Sequence, residues 1–162
     1  MAKIPLPKPI DVQQILSMMY GNGLKAEPGE PVPADPGAKS LVAIYVDDDD
    51  HPIAACAVDY PFTAYAGASL TRIPQGTAEE AIDTGEFSEI MLGNVHEIMN
   101  ICSRLLMDSS SPHLRLQGLY KSPDDLPDNV RSMIQQAPEG VDFSVSFPNY
   151  GDGRVSFRAL AA

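Results

Sequence analysis

The chain has 162 residues, 44% hydrophobic and 20% charged, and its 11 Lys and Arg stand against 22 Asp and Glu for a formal net charge of −11. This is length for one domain with a real core and short for two, and no apolar run reaches the ~18 residues that a membrane span needs. The charge, with no clustering of Lys and Arg, excludes a nucleic-acid binder, because phosphate contacts require such clusters.

The opening MAKIPLPKPID lacks the apolar block and small-residue cleavage site of a signal peptide, so the expected compartment is the cytoplasm. Residues 1–9 are proline-rich and expected to be an extended tail. Asp11 is placed to cap a short amphipathic helix whose apolar side is Ile10, Ile15, Leu16, Met18 and Met19, ended by Gly21-Asn22-Gly23. Prolines 28, 31, 33 and 36 forbid a helix from Leu24 to Lys39 and suit a long connection or an irregular edge strand. The runs LVAIYV (41–46) and PIAACAV (52–58), joined by Asp47 to His51, read as a hairpin.

FTAYAGASLTRI (62–73) predicts a short helix stopped by Pro74-Gln75-Gly76, and Thr77 with Glu80 has the spacing of a capping box for another. Gly85 interrupts that helix, and the main helix is predicted from about Glu86 to Met107. HLRLQGLY (113–120) reads as a strand, Asp124 or Asp125 as the opening of a helix through Gln136, and VDFSVSF (141–147) with RVSFRAL (154–160) as a closing hairpin. Residues 10–58 and 86–160 thus each run helix, extended stretch, strand hairpin, a repeat of pattern without matching identity. The expected fold class is α+β: one domain over 1–162 built of pseudo-duplicated helix–strand-hairpin units, with a central, mostly antiparallel sheet flanked by the long helix and shorter ones.

Several features take plain structural readings. Cys56 and Cys102 lie in apolar patterns without a C-x-x-C spacing and read as buried free thiols. Asp47 to Asp50 lack the glycine and distal glutamate of a calcium loop and read as a solvated hairpin tip. Ser109 to Ser111 form a turn before Pro112, with no His–acid arrangement to make a nucleophile. His96 is expected at the surface, and Asn94 at the edge of the buried stripe as a core or interface hydrogen-bonder.

On the main helix, Phe87, Met91, Val95, Ile98, Cys102 and Leu105 make a buried stripe, while Gly93, Glu97, Asn100 and Arg104 share an arc of about 60° on another face. Asparagine in mid-helix and glycine in mid-helix are both locally unfavourable, and two such residues on one face suggest that the face is used. A carboxamide donates and accepts at once, so it can orient a water for in-line attack on a phosphoryl group. A carboxylate three residues away can pair with a lysine beside that phosphate.

Glu97, two residues, Asn100, residues 101–122, then Pro123 resembles the motif of the CheC, CheX and FliY family of chemotaxis phosphatases: Asp or Ser, three residues, Glu, two residues, Asn, twenty-two residues, Pro. The order of elements is similar to that family's doubled plan across most of the chain. The resemblance implies hydrolysis of the aspartyl phosphate on a CheY-like response regulator. Asn100 would orient the water, Glu97 would pair with the regulator's lysine, and Pro123 would belong to the frame. Magnesium is expected on the regulator, with no cofactor of the chain's own. The chain departs from the motif at Gly93, which stands where Asp or Ser is usual, and at Arg104, where relatives commonly carry glycine; both are read as partner-facing. The first half has Asp11 followed by Ile15 and Met18 in place of a second motif. One motif per chain is the CheX arrangement, which implies a homodimer. A receiver-binding or dimerising module without hydrolysis stays open beside the phosphatase, as does an unrelated α+β domain with an accidental motif.

Overall fold

The computed structural model describes residues 3–160. Helix α1 (Pro9–Tyr20) leads into the short strand β1 (Lys25–Pro28), and the hairpin of β2 (Ser40–Val46) and β3 (Pro52–Asp59) follows. Helices α2 (Tyr60–Ser69), α3 (Gln75–Thr84) and α4 (Glu89–Cys102) come next, then β4 (Arg115–Tyr120), α5 (Asp128–Gln135) and the hairpin β5 (Glu139–Phe147) and β6 (Gly151–Ala159). The six strands form one sheet in the order β1-β5-β6-β3-β2-β4, and every neighbouring pair is antiparallel.

Exchanging β1 with β4, β2 with β5 and β3 with β6 returns that same order read backwards. The sheet therefore has an approximate two-fold axis between β3 and β6, near the Cys56–Phe157 pair. Each half gives its first strand to the other half's hairpin, which is the expected pseudo-duplication written into strand pairing. Because β2 is flanked by β3 and β4 and covered on both faces, all seven of its residues are buried, and the sequence shows a continuous apolar run in place of alternation.

Helices α1, α2 and α4 cover one face, packing Val12, Leu16, Phe62, Val95 and Ile98 onto Leu41, Tyr45, Cys56, Val145 and Phe157. On the other face Val130 of α5, Leu126 and Val32 cover Val42, Ile44, Ala55 and Ala57. The irregular 29–39 connection occupies in the first half the chain position that α5 occupies in the second. Among the described residues no helix is long and apolar enough to cross a membrane.

Local details correct several expected boundaries. Helix α1 opens at Pro9, which suits a first helical position because it lacks an N–H to satisfy. Asp11 is therefore no N-cap; it sits in the first turn and accepts the Lys8 N–H at 2.9 Å. Residues 3–8 carry no regular structure, yet Ile4 and Pro7 are buried, so the described part of the opening stretch is packed on the domain. Helix α3 opens at Gln75 behind Pro74, which places Thr77 inside it and not at its cap. Pro123–Asp125 form a single 3-10 turn, and α5 starts only after Pro127, whose ring keeps Leu126 extended.

The main helix is shorter than its apolar pattern. Gly85 closes α3 in the left-handed region (φ 72°), and Ser88 caps α4 by accepting the Met91 N–H at 3.2 Å. Phe87 thus precedes the helix and packs edge-on against Tyr60 at 5.3 Å. Beyond Cys102 the chain tightens into a 3-10 turn, Ser103–Leu106.

Candidate functional site

Helix α4 is anchored by Met91, Val95, Ile98, Met99 and Cys102, all buried. Its closest neighbour is α2: a Cβ built on Gly67 would lie 2.8 Å from the Met91 carbonyl oxygen, so only glycine admits that approach. Asn94 donates to the Gly67 carbonyl at 2.8 Å and to Thr71 Oγ1 at 3.1 Å. It ties the two helices together and is spent in that role.

The opposite face is open. Gly93, Glu97, Asn100 and Arg104 are all exposed, and among the described residues the side chains of Glu97, Asn100 and Arg104 have no hydrogen-bonded or ion-paired partner. A Cβ at Gly93 would meet nothing within 4 Å. The four residues expected to share a face therefore do, with the acid and the amide projecting one turn apart. His96 is also exposed.

Two parts of this surface escaped the sequence reading. Ile90 is 61% exposed and extends the strip by one step, since positions 90, 93, 97, 100 and 104 alternate in steps of three and four; carrying the spacing one turn back would have found it. At the other end Arg104 borders a groove of about 440 Å³ walled by Leu6, Ile15, Met18, Leu105 and Met107. That groove joins the α4 strip to the outer face of α1, where Met18 is 75% exposed. Only the tertiary packing of α1 beside α4 creates it.

Elsewhere the acid-rich β2–β3 turn is held by its own geometry. Asp47 Oδ1 accepts the N–H groups of His51 and Asp49, each at 2.9 Å, and the His51 bond above all holds its carboxyl below the usual range. Asp50 pairs with Arg115, and Asp48 faces His113 at 3.3 Å. Both cysteines are free and buried, and burial pushes the Cys102 thiol up to about 12.

No family model matches the sequence, and no curated protein matches it. Solved structures do. FliM in the FliG–FliM complex of H. pylori superposes with a TM-score of 0.63 at 8% identity, over 94% of this chain and 86% of that one. The FliM middle domain of H. pylori gives 0.59 at 7% identity, over 94% and 84%. FliY of Thermotoga maritima gives 0.52 at 18% identity, over 93% and 82%. The chain has the CheC/CheX/FliY fold. At these identities the likeness establishes fold, covering nearly the whole chain. Pro123 is buried at the start of its 3-10 turn.

Proposed function

We propose that the protein is a phosphatase for the aspartyl phosphate of a CheY-like response regulator, working in the cytoplasm in chemotaxis or flagellar signalling. The observation that carries this reading is the pair Glu97 and Asn100: unpartnered, exposed and one turn apart on a helix whose far side is locked into the core. Helix α4 enters the regulator's phosphorylated cleft. The Asn100 carboxamide holds a water in line with the phosphorus, the water attacks, and the regulator's aspartate leaves as carboxylate. Glu97 pairs with the regulator's lysine beside the phosphate. Magnesium stays on the regulator, and Gly93 and Arg104 face the partner above and below the pair. One motif per chain accords with a homodimer carrying two sites.

A second reading is favoured by two observations. The strip has glycine at Gly93 in place of the motif's first side chain, and it carries a cation at Arg104. In that reading the same face docks a receiver domain, or another copy, without hydrolysis.

One experiment separates them. Loss of phosphate from a phosphorylated CheY-type regulator is followed with the wild type, Asn100→Ala and Glu97→Ala. We expect the wild type to accelerate the loss and Asn100→Ala to cut the acceleration about a hundredfold, the scale of losing one well-placed catalytic contact. Since the side chain is exposed, unfolding free energy should move by no more than about 0.5 kcal/mol. Binding of the regulator without acceleration establishes the docking reading instead.

A further inference from the structure

We infer that Tyr45 and Ser103 are positioning residues for Asn100: their two hydroxyls hold the peptide planes on either side of its α-carbon and so set the direction in which the carboxamide leaves the helix. This rests on the reading of Asn100 given above. Tyr45 lies on β2, is wholly buried, and its Oη donates to the Met99 carbonyl at 2.6 Å. Ser103 follows α4, is 7% exposed, and its Oγ donates to the Asn100 carbonyl at 2.7 Å. These are the carbonyls of the peptides before and after the Asn100 α-carbon. Among the described residues they are the two carbonyls of α4 that accept a side-chain donor.

The helix itself makes room for the pair. In a continuing α-helix the Ser103 N–H would return to Met99; here it returns to Asn100, and the chain tightens into the 3-10 turn. Met99 is left with a carbonyl in the dry interior that water cannot reach. A buried phenol supplies the partner from the sheet, which ties the helix end to the fully buried strand β2. Asn100 is where such fixing matters. Glu97 can act as a diffuse charge and tolerates some rocking, whereas a carboxamide must present both a donor and an acceptor to one water at the correct angle. The Glu97 carbonyl has no comparable clamp.

Three variants test this: Tyr45→Phe, Ser103→Ala and Ser103→Thr, each measured for kcat and KM toward the phosphorylated regulator. The order of the Asn100 side-chain amide is followed alongside by nitrogen-15 relaxation. We expect kcat to fall about tenfold in Tyr45→Phe and Ser103→Ala with KM unchanged, as for a misaimed catalytic group. The amide order should drop in both, and Ser103→Thr, which keeps the hydroxyl, should restore both readouts. Folded Tyr45→Phe and Ser103→Ala proteins with wild-type kcat would overturn the assignment and leave the hydroxyls with a purely structural role. If Tyr45→Phe fails to fold, the Ser103→Ala and Ser103→Thr pair decides by the same criterion. If the wild type has no phosphatase activity, the proposed function falls, and the amide order alone decides here: lowered supports the clamp, unchanged overturns it.

Discussion

Gly93 and Asn100 share one face of α4 and illustrate what a single residue discloses. Both are poor helix formers, and both were legible as anomalies because two local penalties fall on one predicted face. Among the described residues nothing lies within 4 Å of a Cβ at Gly93, and its φ is ordinary, so the glycine serves no steric purpose among them. Gly93→Ala should therefore raise unfolding free energy by up to about 1 kcal/mol, read as a higher urea midpoint. A loss of stability would mean that the helix bends or packs differently there. Asn94, next along the chain, looks equally anomalous and is explained by its bonds to Gly67 of α2 and to Thr71 just beyond that helix. Sequence alone offers no way to tell these neighbours apart beyond their angular position on the helix.

At the scale of elements, the contact between α2 and α4 decides how firmly the strip is presented. The two helices meet at Gly67 and Met91, where an added Cβ would sit 2.8 Å from backbone oxygen. Gly67→Ala should force the helices apart and cost about 1–3 kcal/mol by thermal or chemical denaturation, the scale of overpacking a tight contact. Gly93→Ala and Gly67→Ala thus carry opposite signs although both place the same residue in a helix. The length of α4 was readable only in part. Its apolar period runs on through Leu105 and Leu106, so periodicity carries the helix to Met107. The actual ends are set by Ser88 capping the first turn and by the bond from Tyr45 to Met99 that accompanies the 3-10 turn. The β2–β3 hairpin was legible to within a residue, because a continuous apolar run bounded by a polar turn has few alternatives, whereas the closing hairpin starts each strand two to three residues earlier than its apolar pattern, at Glu139 and Gly151. The α5 boundary was not, since Asp124 and Asp125 look like caps until Pro127 is placed beside them.

Taken whole, the molecule is a two-fold sheet with its ionisable groups of highest cost hidden at the centre. Burial pushes the Tyr45 phenol and the Cys56 thiol well above their ordinary values, and the Cys102 thiol up to about 12. The unfolded chain ionises a thiol near 8.5 and a phenol near 10. The folded state therefore keeps protons that the unfolded state releases, so the stability these groups confer is complete below about pH 8.5 and drains away as pH rises above it. The urea midpoint should accordingly fall between pH 8 and pH 10.5, with thiol labelling appearing only as the protein unfolds. A flat midpoint, or thiols that react near pH 8.5 in the folded protein, would contradict this burial.

The sequence by itself determined the α+β class, the doubled order of elements and the joint placement of Glu97, Asn100, Gly93 and Arg104, because helix and strand periods are local properties of the chain. Tertiary structure alone decided the exchange of first strands between the halves, the groove between α1 and α4, and the clamp on Asn100. Each of these depends on residues far apart in sequence, such as Tyr45 and Met99, meeting across a packed interface, and no local pattern records such a meeting.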